Sequence, residues 1–231
     1  MTETPFFVKL KNRGLLHLEG PDSKPFLQNL ITNDMGKLTP VNQIYACLLS
    51  PQGKFLHDFF VREGDGFLLL DCEGGERAQD LFKRLNMYRL RSDVKISLEE
   101  NHNVYAVFGG HRQDHGLPDP RHQEMGNRSF EKPGLPEKPF EDWDRRRIKL
   151  CIPDGSRDLI VNKSTMDEAR MDKLNAIDYE KGCYIGQELT ARMHYRGLGK
   201  KHLKTVKLDN LPEKAELRSN CEDIGIALVR D

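Results

Sequence analysis

The feature that constrains the fold most is a succession of three strand-like apolar segments joined by two tight turns. The first two segments, 43–50 and 54–62, are linked by Pro51-Gln52-Gly53, with proline early and glycine late as tight turns prefer. The turn Glu63-Gly64-Asp65-Gly66 then leads into the third segment, 66–72. Consecutive strands with such short connections pair with their neighbours, so the pattern predicts an antiparallel meander.

Helical and strand-like patterns surround this meander. Residues 75–90 predict an amphipathic helix, because Ala78, Leu81, Phe82 and Leu85 recur at helical spacing. A helix is also expected to begin near Pro21-Asp22-Ser23. Further strands are predicted at 14–19, 94–99 and 103–108. This order of strands and helices predicts an α+β fold, in which helices pack against antiparallel sheets.

The second half of the chain is less regular. Residues 109–140 are rich in proline, glycine, histidine and charge, and predict a long surface connection. A helix is predicted from Trp143 towards Ile152, another with a break over 164–178, and a third over 185–196. In the first of these, the cationic group Arg145-Arg146-Arg147 is typical of a charged helix face. Three short strands are predicted after residue 202.

Composition excludes several classes of protein. The 231 residues contain 36 basic and 36 acidic side chains, so the formal net charge is zero. This balance argues against a global electrostatic surface for nucleic acid. No apolar run approaches the ~20 residues of a membrane span. The first residues lack the apolar core of a secretory signal and the Arg/Ser-rich character of a transit peptide. We therefore expect a soluble cytoplasmic protein that binds neither membranes nor nucleic acid.

The cysteines do not form a recognisable framework. There are five of them, they are far apart, and no C-x-x-C pair exists: Cys47, Cys72, Cys151, Cys183 and Cys221. This spacing disfavours disulfides and a cysteine-based zinc or cluster site. We therefore predict no metal site, and if the protein serves iron–sulfur chemistry, its thiols alone are not expected to hold a cluster.

The octapeptide from Lys181 to Glu188, KGCYIGQE, is the most informative motif for function. Its cysteine, Cys183, follows a lysine closely and precedes the predicted helix. The positive end of a helix and a neighbouring ammonium both favour the thiolate, which is the reactive form. Gly182 and Gly186 permit a backbone shape or a close ligand approach that a side chain would block. The alternative is a small buried cysteine in a strand-to-helix turn.

This octapeptide resembles the signature of the YgfZ family, folate-binding proteins related to the T-protein (aminomethyltransferase) of the glycine cleavage system. The resemblance covers roughly residues 14–203, because further short pieces occur in the family's order. These pieces are Gly20-Pro21-Asp22, Phe26-Leu27-Gln28, Thr32-Asn33-Asp34, Leu49-Ser50-Pro51-Gln52-Gly53-Lys54, Asp58, Asp119-Pro120-Arg121, Arg147-Ile148, Ile152-Pro153, Ala191-Arg192 and Tyr195-Arg196-Gly197.

The resemblance implies a T-protein-like folate-binding domain over residues 1–200 and a reduced C-terminal β module over 201–231. It implies tetrahydrofolate or a one-carbon derivative as ligand, in a cleft lined by signature residues. Those expected to bind it are Tyr184, Gly186, Gln187 and Glu188, and those expected to support thiol chemistry are Cys183 and Lys181.

Three further positions are candidates for the folate site. Asp58 occupies the place where T-proteins carry one of two adjacent acids, here preceded by His57; the alternative is a solvated strand position. Glu168 resembles a glutamate that binds the pterin ring, although an acid at a helix start is as good an explanation. Arg192 and Arg196 are candidates for the glutamyl tail, and the alternative is a solvated basic run.

The resemblance favours an accessory factor that uses folate and a reactive thiol to assemble or repair iron–sulfur proteins. Its expected partners are iron–sulfur assembly proteins or client enzymes. The alternative is a folate-dependent aminomethyltransferase or methyltransferase. The His57-Asp58 pair and the short C-terminus favour the accessory factor over the transferase, because general acid–base chemistry needs correctly placed acids.

Overall fold

The computed structural model describes residues 4–99, 102–109, 115–197 and 199–231. Four α-helices are found along these residues: α1 (Ser23–Gln28), α2 (Glu76–Arg89), α3 (Phe140–Lys149) and α4 (Gln187–Arg196). The strands are β1 (Phe6–Lys9), β2 (Arg13–Glu19), β3 (Gln43–Leu49), β4 (Phe55–Glu63), β5 (Phe67–Glu73), β6 (Lys95–Glu99), β7 (Tyr105–Phe108), β8 (Leu117–Pro118), β9 (Asn127–Ser129), β10 (Glu137–Lys138), β11 (Lys201–Lys207), β12 (Glu216–Cys221) and β13 (Ile224–Arg230).

The first sheet contains the meander and has the order β3-β4-β5-β2-β6, with every neighbouring pair antiparallel. Successive side chains of a strand point to opposite faces. On β3, Ile44, Ala46 and Leu48 join the core beneath α1 and α2. Tyr45, Cys47 and Leu49 join a second core on the other face. Both faces are therefore buried, which explains why β3 is a nearly continuous apolar run.

The second sheet has the order β10-β1-β7-β9-β8, and its β1–β10 pair is parallel. Here the prediction of a surface connection over 109–140 was wrong for the residues that the structure describes. Three short strands, β8 to β10, come from this segment, and β9 pairs with β7 and β8. Its buried charged residues, Asp119, Arg121 and Arg128, are held by ion pairs, so hydropathy gives no signal for them. Residues 110–114 lie outside the described residues.

The helices over 75–90 and 185–196 are confirmed, within a residue or two at each end. The predicted helix over 164–178 was wrong, because this segment is a series of turns. The amides of Met171 and Ala176 donate to carbonyls five residues back, and Arg170 and Asn175 have φ values of 49° and 55°. A left-handed residue of this kind ends a helical turn.

The third sheet has the order β11-β13-β12 and packs on the second core. Leu203, Ile226 and Leu228 lie in the same cluster as Trp143 and Ile148 of α3. Three antiparallel or mixed sheets with four helices confirm the α+β class. Among the described residues, no helix is both long and apolar enough to cross a bilayer.

Candidate functional site

The signature segment is anchored to the first hairpin by two glycines. Gly186 is the N-cap of α4, with a φ of 81°, and Gly53 in the β3–β4 turn has a φ of 71°. A Cβ on Gly186 would lie 2.6 Å from the carbonyl oxygen of Ser50 and 3.0 Å from the Cα of Gly53. Gly182, in contrast, has open space around it. The close approach therefore requires Gly186, and Gly182 leaves the backbone beside Cys183 accessible.

Lys181 was expected to support the thiolate of Cys183, and the structure gives its ammonium a different position. The side chain is buried, and Nζ donates to the carbonyl oxygens of Gln28, Ile31 and Asn33 at 2.7, 2.8 and 2.6 Å. Burial lowers its pKa to about 8. An ammonium has three protons. All three are directed at carbonyls, so Lys181 fixes the segment after α1 and has no hydrogen bond left to offer a thiolate.

Cys183 lies three residues before the α4 N-cap and is exposed to solvent. The other cysteines differ. Cys47, Cys72 and Cys221 are buried and Cys151 is half-buried. Burial raises the pKa of all four thiols, that of Cys72 to about 12. Cys221 ends β12, and its Sγ donates to the carbonyl of Glu141. Cys183 is therefore the accessible thiol.

Asp58 is not a solvated strand residue. It is buried on β4, and the hydroxyl of Tyr45 donates to Oδ2 at 2.7 Å. Its other oxygen, Oδ1, has no hydrogen-bond partner in the structure. Burial raises the pKa of the carboxyl, although the positive charge of Arg13 opposes this shift. A buried carboxylate oxygen without a donor is costly. Asp58 can therefore accept a hydrogen bond that the chain itself does not supply, or carry a proton.

A short turn covers Asp58. A Cβ on Gly155, which has a φ of 52°, would lie 3.2 Å from Oδ1 of Asp58 and 2.8 Å from Oε2 of Glu73. The next residue, Ser156, donates from its amide and its hydroxyl to the two oxygens of Glu73, at 3.0 and 2.6 Å. The turn thus closes over the free oxygen of Asp58, and its glycine permits this approach.

Buried ion pairs join the first and second sheets beside Asp58. Asp71 of β5 accepts from the Nε atoms of Arg13 and Arg128 at 2.7 Å each, and Asp119 accepts from Arg121 at 2.8 Å. The three guanidinium groups lie 4.0 to 5.7 Å from the centre of the Phe60 ring. Sequence reasoning gave these arginines no role. The family piece Asp119-Pro120-Arg121 was the one available signal.

The remaining predicted site residues lie in different environments. Glu168 and Thr165 form a reciprocal cap, since Oε2 of Glu168 accepts from the amide of Thr165 at 3.0 Å and the amide of Glu168 donates back to Oγ1 at 3.3 Å. Tyr184 is buried in the second core, where burial raises its pKa to about 12. No helix begins at Glu168, so its carboxylate closes a turn with Thr165 instead of capping a helix, and Tyr184 lies among apolar side chains.

Helix α4 carries the other four candidates. Gln187 is half-buried at its first turn, and Glu188, Arg192 and Arg196 are exposed. On the same helix His194 stacks on Tyr179, with ring centres 3.8 Å apart. The surface of α4 therefore offers cations and aromatic rings to a partner or an anionic ligand.

Several of the predicted residues lie away from the cavities of the described chain. Five cavities in the described chain have volumes of 320 to 690 Å³, and Cys183, Asp58 and Glu168 do not line these five. Tyr184 and Tyr45, the partner of Asp58, do share the second core. The signature and the Asp58 region are thus connected through packed side chains.

Comparison with known proteins identifies relatives of the whole chain. The human mitochondrial iron–sulfur cluster assembly factor IBA57 is 32% identical over 240 residues, which covers 88% of this chain and 67% of the relative. The IBA57 homologue of Neurospora crassa, also named mitochondrial, is 30% identical and covers 85% of this chain and 52% of the relative. The chain thus spans about half to two thirds of the length of these relatives. No family model matches the chain.

A solved structure supports the fold independently of these relatives. The glycine cleavage system aminomethyltransferase T from Bartonella henselae superposes with a TM-score of 0.72, covering 99% of this chain and 79% of that one. Its sequence identity is 16%, so this likeness concerns the fold alone. The motifs, the shared fold and the relatives lead to one conclusion: the chain belongs to the YgfZ family, which includes the IBA57 iron–sulfur cluster assembly factors.

Proposed function

We propose that this chain acts in iron–sulfur cluster assembly or repair, as an accessory factor that binds tetrahydrofolate or a one-carbon derivative and uses the thiol of Cys183. The observation that carries this proposal is the exposure of Cys183 within the family signature, while the other four thiols are buried or half-buried. The relatives' names supply the biological process.

The thiol is proposed to act together with groups from a partner. Iron–sulfur clusters are commonly held by four thiolates or by thiolates and imidazoles. In the described part of the chain, no group of three metal-ligating side chains is found. One exposed thiol is therefore expected to act on, or alongside, the cysteines of an assembly protein or client enzyme. To react with the cysteines of another protein, the Cys183 thiol must be exposed.

Some of the candidate residues have groups free to bind a folate, and others do not. The unpartnered Oδ1 of Asp58 can accept from an N–H group of a pterin, and the turn at Gly155 would have to move to admit it. Arg192 and Arg196 are exposed and could pair with the carboxylates of a glutamyl tail. Glu168 is already committed at one oxygen to Thr165. When bound, tetrahydrofolate supplies a one-carbon carrier, and the chain's contribution is to bind and orient it.

Folate binding is tested by thermal unfolding with tetrahydrofolate and 5-formyl-tetrahydrofolate. A hundredfold excess over the dissociation constant should stabilise the protein by about 2.7 kcal/mol. Asp58→Asn should abolish this shift, and Arg192→Ala with Arg196→Ala should reduce it. Lys173→Ala, which removes an exposed cation elsewhere, is the matched control. Absence of any shift at millimolar ligand in the unaltered protein would refute the folate part of the proposal.

The role of the thiol is tested separately. Cys183→Ala should leave the fold intact, because the side chain is exposed, but it should fail to restore iron–sulfur enzyme activity in a deletion strain. Cys221→Ala, a buried position, controls for loss of a thiol as such. Full complementation by Cys183→Ala would show that the thiol is dispensable, whatever the result with folate.

One observation favours the alternative of a folate-dependent aminomethyltransferase or methyltransferase. Asp58 is buried and burial raises its pKa, which is the direction that general acid–base work requires of a carboxyl group. Its neighbour His57 lies on the opposite face of β4 and contacts Asp80 at 2.8 Å, so it does not replace a second acid. The assay is release of ammonia from an aminomethylated lipoyl carrier in the presence of tetrahydrofolate. We expect none, and robust turnover would establish the enzyme.

The cellular location belongs to the same proposal. We place this chain in the cytoplasm, whereas the names of its relatives place those proteins in mitochondria. Subcellular fractionation of the source cells, with immunodetection of the chain, distinguishes the two compartments.

A further inference from the structure

The Gly155 turn, defined as residues 154–158, lies against two carboxylates from neighbouring strands. A Cβ on Gly155 would lie 3.2 Å from Oδ1 of Asp58 on β4 and 2.8 Å from Oε2 of Glu73 on β5, so both oxygens are directed at one glycine. Asp58 is buried and its Oδ1 has no hydrogen-bond partner. The next residue of the turn, Ser156, is exposed. The turn is therefore the layer between the Asp58 oxygen and solvent on this side.

Both ends of the Gly155 turn are fixed by buried charges. Asp158 accepts from Nη1 of Arg147 at 2.6 Å and from the amide of Asp154 at 2.8 Å. Arg157, the residue before Asp158, donates to the two oxygens of Asp144 at 2.8 and 2.9 Å and to Asp154 at 3.0 Å. Removal of one partner from a buried ion pair is costly, so we expect these residues to keep their positions.

The centre of the turn is held to the rest of the chain by Glu73. The amide and the hydroxyl of Ser156 donate to its two oxygens at 3.0 and 2.6 Å. Glu73 is also paired with Arg77 at 3.3 Å, and the side chains of this ion pair are both partly exposed. Partly exposed contacts open more readily than buried ones. Since glycine adopts many backbone conformations, Gly155 and Ser156 are the part of the turn that can move.

The closed turn carries a cost that opening removes. A buried carboxylate oxygen without a donor is unfavourable, and opening allows water or a ligand to donate to Oδ1 of Asp58. Against this, opening breaks the two bonds from Ser156 to Glu73 and the bonds that the Gly155 carbonyl accepts within the turn. Glu73 therefore supplies a large part of the energy that keeps the turn closed.

We propose, on the basis of the folate binding proposed for Asp58, that Glu73 controls ligand access to this carboxylate by holding the Gly155 turn closed. The ligand binds to the open turn, in which Oδ1 of Asp58 accepts from its N–H group. Affinity for a state that is only fractionally populated is reduced by that fraction. Weaker attachment of Ser156 to Glu73 should therefore increase the affinity for the ligand.

The movement of the turn is tested without ligand, by hydrogen exchange of the full chain measured with NMR. The amides of Asp158 and Leu159 report opening, because they donate to the Gly155 carbonyl at 3.2 and 3.0 Å rather than to Glu73. Glu73→Ala should accelerate their exchange about fivefold, since it removes both acceptors of Ser156. Ser156→Ala keeps the amide bond and the charge of Glu73, and should give a smaller increase.

Glu76→Ala is the matched control, because it removes the same charge from an exposed position three residues along the chain. It should leave the exchange of Asp158 and Leu159 unchanged. Unchanged exchange in Glu73→Ala would overturn the proposal, because the turn would then be held closed by other contacts.

Ligand access is tested with the same variants by calorimetric titration with tetrahydrofolate. Glu73→Ala should bind about fivefold more tightly than the unaltered protein, Ser156→Ala more tightly by a smaller factor, and Glu76→Ala equally tightly. Weaker binding by Glu73→Ala would also overturn the proposal, because it would show that Glu73 contacts the ligand instead of excluding it. If none of these proteins binds tetrahydrofolate while exchange is accelerated as expected, the folate part of the proposed function is refuted and the control of the turn by Glu73 stands.

Discussion

Gly186 and Gly53 approach each other so closely that neither can carry a side chain without displacing the other. A Cβ on Gly53 would lie 2.9 Å from the carbonyl oxygen of Gly186 and 2.7 Å from the Cβ of Leu189. Both glycines also have a positive φ. The first turn of α4 is thereby fixed against the first hairpin, and this contact sets where the exposed segment around Cys183 begins.

Gly186→Ala is expected to lower the free energy of unfolding by at least about 2 kcal/mol, because it combines steric overlap with an unfavourable φ. Gly182→Ala is the matched control in the same signature. It has open space and should change stability by no more than about 0.5 kcal/mol. Denaturant titration of both variants measures the difference, and equal losses would contradict the assignment of Gly186 as the contact glycine.

Lys181→Met is expected to destabilise the fold by about 2 to 4 kcal/mol, because three carbonyl oxygens near the end of α1 lose their donor. Lys37→Met is the control, because it removes a cation whose ion pair with Asp178 is partly exposed. It should lower the free energy of unfolding by less than about 1 kcal/mol.

The same two variants separate a structural from an electrostatic role of Lys181. The alkylation rate of Cys183 should be unchanged in folded Lys181→Met protein. A clear fall in that rate would restore the hypothesis that Lys181 stabilises the thiolate.

Cys183 should be alkylated before any other thiol at neutral pH, because it alone is exposed among the five cysteines. Mass spectrometry after brief treatment with N-ethylmaleimide should find one modified site, and Cys183→Ser should lose it. Full labelling of the protein in urea confirms that all five thiols are reduced. Equally fast reaction of Cys151 would show that the half-buried thiol is accessible as well.

His57 should make stability dependent on pH. Burial lowers its pKa from 6.5 to about 4, and the positive charge of Arg77 adds to this shift. Between these values the unfolded chain binds a proton that the folded chain does not, so the free energy of unfolding falls as pH is lowered. The loss in the free energy of unfolding approaches about 3 kcal/mol once the pH is below both pKa values.

The measurement compares denaturant titrations at pH 7 and pH 4.5. His57→Gln should lose less stability than the unaltered protein over this range. His102→Gln, an exposed histidine, should behave like the unaltered protein. A steeper loss in His57→Gln would show that His57 is charged in the folded state.

The sequence by itself determined the meander and the other strands of the first sheet, helices α2 and α4, and the family. These elements were predictable because their buried residues are apolar and recur at a regular spacing. In α2, for example, Ala78, Leu81 and Leu85 are buried as the helical spacing requires. The meander also followed from its two short turns. Local propensity and the tertiary core agree in these segments, so a pattern of residue types is sufficient to predict them.

The tertiary structure decided the positions of the charged side chains. Arg147 belongs to a triplet typical of an exposed helix face, yet it is buried and pairs with Asp144 and Asp158 at 2.6 Å each. Arg128 and Lys181 are likewise buried, with partners 57 and about 150 residues away in sequence. Burial of a charge depends on a distant partner that compensates its desolvation. No local pattern contains that partner, so only the folded chain shows which of these cations are buried in ion pairs or hydrogen bonds and which, like Arg192, remain exposed.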